Sequence, residues 1–97
     1  MTKTVTLTRR AEIAYDTLPQ EEQQKVAKML EILKQFPNLP SGSYQKLKSQ
    51  TTNLSPSFIA RVGSHYRLIF TEHNDNLEIL DVINRDRLEL FPNLVAG

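Results

Sequence analysis

The stretch "FIARVGSHYRLIF", residues 58 to 70, constrains the fold more than any other part of the chain. Two β-favouring runs flank Gly63-Ser64-His65, and glycine supplies the positive φ that a tight connection needs. If these three residues form the loop, Val62 pairs with Tyr66, Arg61 with Arg67, Ala60 with Leu68 and Phe58 with Phe70. Every apolar residue of the set Phe58, Ala60, Val62, Tyr66, Leu68 and Phe70 then falls on one face. Ile59, Arg61, Arg67 and Ile69 fall on the other. A two-residue loop would pair Arg61 with Tyr66 and mix charged with apolar side chains in one layer. A slip by one residue exchanges the faces of a strand, so the pattern selects the longer loop.

The rest of the chain supplies what such a hairpin must pack against. "KTVTLT" (3–8) alternates Val5 and Leu7 with threonines and predicts a short strand. A helix is expected through "RRAEIAYDTL", with Thr8 as its N-cap. Thr17 and Gln20 have capping-box spacing for a second helix, and Pro19 suits its first turn. Val26, Met29, Leu30, Leu33 and Phe36 recur at helical spacing, while Glu21–Lys25 and Glu31–Lys34 are spaced for ion pairs on the outer face. Pro37 ends this helix.

"YQKLKS" (44–49) reads as a strand, and "LEILDVI" (77–83) follows the turn signal "HNDN". Straight alternation groups Leu77, Ile79 and Ile83 on one face of the last strand, with Leu80 and Val82 on the other. "NRDRLELF" predicts a closing helical turn. The order is β-α-α-β-β-β-β, an α+β domain over residues 1–97. A short N-terminal strand and a helical hairpin pack on a twisted antiparallel sheet.

Composition narrows the functional classes. The chain has no cysteine, which excludes disulfides, thiolate metal ligands and a thiol nucleophile, and fits a reducing cytoplasm. No apolar run approaches the roughly 20 residues of a membrane span, and "MTKTVTLTRR" lacks the apolar stretch of a signal peptide. The net charge of +1 is distributed unevenly. Residues 32 to 71 contain no acid but hold Lys34, Lys46, Lys48, Arg61 and Arg67. A one-sided positive field of this kind favours a polyanionic partner.

Within that window the hairpin register opposes Arg61 and Arg67, with Cβ atoms about 5 Å apart, an unfavourable like-charge pair in isolation. Either the two side chains splay into water, or an anion lies between them. Guanidinium groups present fixed forks of donors that match phosphate oxygens.

Taken in order, "YQKLKS", "RVGSHYRLIF" and "LEILDVINRDRLELF" on this strand and helix order resemble the RelE/ParE superfamily, the toxins of bacterial toxin–antitoxin pairs. The resemblance runs over residues 3 to 91. Its usual run, R-V-G-D-Y-R followed by a hydrophobic residue, is matched here with one extra turn residue. The resemblance implies one of two activities. RelE-like members cut mRNA in the ribosomal A site, using the substrate's own 2′-hydroxyl as nucleophile. ParE-like members poison DNA gyrase without chemistry. It also implies a neutralising antitoxin, and no small-molecule cofactor or metal.

Carried onto this sequence, the family's phosphate-holding residues correspond to Arg67 in the central strand and Arg85 after the last strand. Arg61 lies near a catalytic lysine position, and Lys46, Lys48 and Arg87 correspond to RNA contacts. The sequence departs from the RelE type at Phe91, where a tyrosine is usual, and in having Arg61 in place of a lysine pair. Arginine does not titrate near neutrality, so His65 is the candidate for proton transfer, its other reading being an exposed turn residue. Phe91, Leu94 and Val95 are candidates for part of the antitoxin contact, their other reading being a frayed terminus.

Overall fold

The computed structural model describes residues 2–40, 42–46 and 57–88, with the side chains of residues 87 and 88 outside the description. Eight elements follow one another: β1 (Thr4–Leu7), α1 (Arg9–Asp16), α2 (Gln20–Leu33), β2 (Tyr44–Lys46), β3 (Ser57–Val62), β4 (Tyr66–His73), β5 (Asn76–Asn84) and α3 (Arg85–Leu88). The strands form one sheet in the order β1-β5-β4-β3-β2. Strands β2 to β5 make the expected antiparallel meander. β1 joins the far edge parallel to β5, so the sheet is mixed.

The hairpin register is the one that the hydrophobic pattern selects. Val62 pairs with Tyr66, Arg61 with Arg67, Ala60 with Leu68 and Phe58 with Phe70. Gly63 adopts φ +58, and a Cβ there would stand 3.2 Å from Cδ of Lys25 on α2. The backbone conformation calls for glycine at this turn, while the exposed Lys25 side chain could shift by the few tenths of an ångström that a Cβ would need.

The helices cover the apolar face. Val26 and Leu33 of α2 and Ala11 of α1 are fully buried against Ala60, Val62, Leu68, Phe70, Leu77 and Ile79. Phe36 lies at the centre of an aromatic cluster, its ring centroid 5.1 Å from Tyr44, 5.2 Å from Phe58 and 5.5 Å from Phe70. Tilted and edge-on geometries of this kind add to the area that the rings bury.

Alternation along β5 is interrupted, which corrects the expected grouping of Leu77 and Ile79 with Ile83. Phe70 pairs with Ile79 but Ile69 pairs with Asp81, leaving Leu80 as an extra residue. Such a bulge reverses the parity of everything beyond it. Leu77, Ile79 and Val82 therefore face the helices, while Ile83 turns to the opposite face and stands across from Arg67. Thr8 satisfies this irregularity. Its hydroxyl donates to the Leu80 carbonyl at 3.0 Å while accepting from the Ala11 amide at 3.2 Å, so one side chain serves the bulge and caps α1.

Two local expectations resolve differently. Thr17 caps no second helix: it ends α1, its hydroxyl donating to the Ala14 carbonyl at 2.8 Å. α2 instead starts after Pro19 with no side-chain cap, and Gln23 ties it to α1 by donating to the Tyr15 carbonyl at 3.0 Å. Lys25 pairs with Glu22 at 3.4 Å rather than with Glu21, whereas Lys34–Glu31 forms at 3.0 Å. These pairs at the helix surface contribute only tenths of a kcal/mol. Among the described residues no helix is long and apolar enough to cross a membrane.

Candidate functional site

The sheet face away from the helices carries Ile59, Arg61, Arg67, Ile69, Asp81 and Ile83. Arg61 and Arg67 are direct cross-strand neighbours there. Arg61 is exposed and Arg67 half-buried. Among the described residues no ion pair reaches either side chain. Arg67 donates from Nη1 to the carbonyl of Tyr66 at 2.8 Å, which holds the guanidinium close to its own strand.

Arg85 is brought to the same region by the end of β5. It opens α3, and its amide donates to the carbonyl of His65 at 2.8 Å, linking the start of α3 to the β3–β4 turn. Asn84 accepts from the Asp86 amide at 2.8 Å through Oδ1, which fixes the first turn of α3 from the side. Arg85 makes an exposed contact with Asp86 at 3.7 Å, too loose to neutralise it.

The three arginines act on one another electrostatically. Burial first, then the charges of Arg61 and Arg85, hold the Arg67 guanidinium below its ordinary pKa. The group stays protonated at neutral pH, so this is a store of unfavourable interaction rather than a titration. An anion placed among the three charges reverses the sign of that interaction.

A cavity of about 240 Å³ opens beside the pair, lined by Gly42, Ser43, Tyr44, Gln45, Ile59, Arg61 and Arg67. Its far wall is the loop before β2 and β2 itself, held to β3 by the Arg61 amide, which donates to the Ser43 carbonyl at 3.0 Å. Gln45 pairs with Ile59 and shares its face.

The structure thus brings together Arg61, Arg67 and Arg85. His65 lies in the exposed turn between the first two, joined to Arg85 through its backbone. Lys46 pairs with Phe58, which puts it on the helix side of the sheet edge rather than beside the arginines. Arg87 is in α3, with its side chain outside the described residues; Lys48, Phe91, Leu94 and Val95 lie outside them altogether. Ser43 and Gln45 are the site residues that sequence reasoning missed. The alternation of "YQKLKS" against the hairpin could have placed Gln45 on the arginine face, had the β2–β3 register been known. Among the described residues no three His, Asp or Glu side chains gather as a metal site would require.

Comparison with known proteins gives a structural answer only. No family model matches the chain, and no curated protein does. Solved structures do. A chain of the archaeal RelE–RelB complex from Pyrococcus horikoshii superposes with TM-score 0.73 at 23% identity, covering 90% of this chain and 99% of that one. A chain of the toxin–antitoxin complex RelBE2 from Mycobacterium tuberculosis gives 0.71 at 23% identity, covering 88% and 100%. The free E. coli toxin RelE, in a mutant form, gives 0.60 at 15% identity, covering 97% and 95%. The chain has the RelE fold. Within the RelE fold the arginine face is the sheet surface that the helical hairpin leaves uncovered.

Proposed function

We propose that this RelE-fold protein is the toxin of a type II toxin–antitoxin pair and acts as a ribosome-dependent mRNA endoribonuclease in the cytoplasm. The observation that carries this reading is the opposition of Arg61 and Arg67, with Arg85 close enough to disfavour the charge on Arg67, on the face away from the helices. A phosphodiester held among three guanidinium groups gains most as charge builds on its oxygens, which is the basis of electrostatic transition-state stabilisation. Attack by the adjacent 2′-oxygen on phosphorus breaks the bond to the 5′-oxygen and leaves a cyclic phosphate. The proton released from the 2′-hydroxyl goes to the His65 imidazole, and the leaving 5′-oxygen takes a proton from water, whose hydroxide the imidazolium then neutralises. Lys48 and Arg87 add salt-dependent contacts to RNA, while Lys46, on the helix side of the sheet edge, adds only to the long-range positive field.

The partner in this reading is an antitoxin, as in the RelE–RelB complex of the archaeal relative. An acidic segment that folds on binding suits the window from 32 to 71, which has no acid of its own.

One observation favours a second reading, a non-enzymatic toxin acting on DNA gyrase: the charged side chains brought together among the described residues are arginines, which do not exchange protons at neutral pH, and His65 sits in the exposed turn rather than between them. Primer-extension mapping of an mRNA translated in a bacterial extract separates the two. Cuts that require both ribosomes and the protein are expected. Intact message together with inhibited supercoiling in a gyrase assay would favour the second.

A further inference from the structure

We infer that the cavity beside the arginine pair is a pocket for a single nucleobase, that of the nucleotide whose phosphate the pair holds, with Gln45 and Ser43 as the residues that read it. The inference rests on the nucleic-acid reading above and adds to it a base-selecting role.

Ile59 adds apolar character to the cavity lining but is only 4% exposed, so the surface that a base could cover there comes mainly from the arginines. Arg61 lies two residues further along β3, about 7 Å away, so the apolar surface and the phosphate fork are one nucleotide's reach apart. Arg61 and Arg67 both border the cavity, and a guanidinium plane is itself a stacking surface for a base. Ser43 and Gln45 stand on the opposite wall. A serine hydroxyl donates and accepts, and a carboxamide offers both a donor and an acceptor, the combination that pairs with a base edge.

Charge supports the same occupant. Among the described residues no carboxylate lines the cavity, and two of its lining side chains are cationic, so a neutral base tethered to an anion fits better than a cation or an apolar peptide side chain. The volume, about 240 Å³, leaves room for a base. Among the described residues β2, three residues long, is the edge strand of the sheet, so the wall that it forms lies at the sheet's rim, where a splayed nucleotide of single-stranded RNA would approach.

The test uses the full chain and small probes: adenosine, guanosine, cytidine and uridine 5′-monophosphates, with ribose 5-phosphate as the probe lacking a base. Binding is followed by calorimetry for the wild type, Gln45→Ala, Ser43→Ala and Arg67→Ala. At least one nucleotide is expected to bind about tenfold more tightly than ribose 5-phosphate. Gln45→Ala or Ser43→Ala should remove that preference while leaving ribose 5-phosphate affinity unchanged, and Arg67→Ala should weaken all probes together. If every nucleotide binds like ribose 5-phosphate, the base pocket is wrong and the phosphate site stands. If no probe binds to the folded wild type, the phosphate site fails and the pocket with it. A preference for one base that survives both Gln45→Ala and Ser43→Ala would also overturn the assignment.

Discussion

Replacing Arg67 with alanine is expected to weaken single-stranded RNA binding by about 10- to 100-fold, the loss that follows when one charge-assisted donor fork is removed. The fall should be accompanied by a salt dependence shallower by about one phosphate contact. Folding should not suffer. Arg67 faces two other arginines and is partly desolvated, so its removal relieves repulsion. A cross-strand like-charge pair costs about 0.2–1 kcal/mol, and the variant should be as stable as the wild type or more so by that amount in urea. This combination of lost binding with retained or improved stability is what separates a functional arginine from a structural one. If Arg67→Ala lowers stability by several kcal/mol, or leaves RNA affinity and its salt slope unchanged, the role given to this residue is wrong.

The second large effect lies on the opposite face of the same strand. Phe70 is fully buried, stacked 5.4 Å from Phe58 and edge-on to Phe36 at 5.5 Å. Phe70→Ala is expected to cost about 3–5 kcal/mol, from lost transfer energy and the cavity left behind. A domain of this size has roughly 5–15 kcal/mol in total, so equilibrium denaturation should show a marginal fold. Phe70→Leu keeps most of the volume and should cost far less. Equal, small losses for both variants would show that the aromatic cluster is not the centre of the core. The two predictions are linked by the strand alternation: Arg67 and Phe70 belong to one strand but project to opposite faces.

What was legible in the sequence was what local pattern decides. The loop Gly63-Ser64-His65 and the alternation on either side fixed the β3–β4 register, and with it the meeting of Arg61 and Arg67. Thr8 as a cap and Val26 and Leu33 as the buried stripe of α2 follow from spacing within one element. Features set by distant partners were not legible. The parallel seat of β1 against β5 joins residues at opposite ends of the chain. The bulge at Leu80, which turns Ile83 towards Arg67, depends on a hydroxyl from Thr8 that the local pattern of β5 does not announce. Thr17 carries a capping-box signal, yet its hydroxyl is taken by the carbonyl of Ala14 in the helix before it.

The same division holds for the site. Its arginines come from a hairpin whose pairing is local, apart from Arg85, which the turn carbonyl of His65 holds in place. The cavity wall of Ser43 and Gln45 depends on β2 docking against β3 across an intervening segment, so alternation alone could not bring it to the arginines.

The central claim is that an anion of phosphate type belongs between Arg61 and Arg67. Its most direct test is the thermal stability of the wild type and of the double variant Arg61→Ala/Arg67→Ala, in phosphate and in chloride at matched ionic strength. A ligand present at ten times its dissociation constant stabilises the native state by about 1.4 kcal/mol. For a domain of this length that raises the wild-type midpoint by several degrees. The account predicts that rise in phosphate for the wild type and none for the double variant. Equal midpoints in the two salts for the wild type, or the same phosphate shift in both proteins, would contradict it.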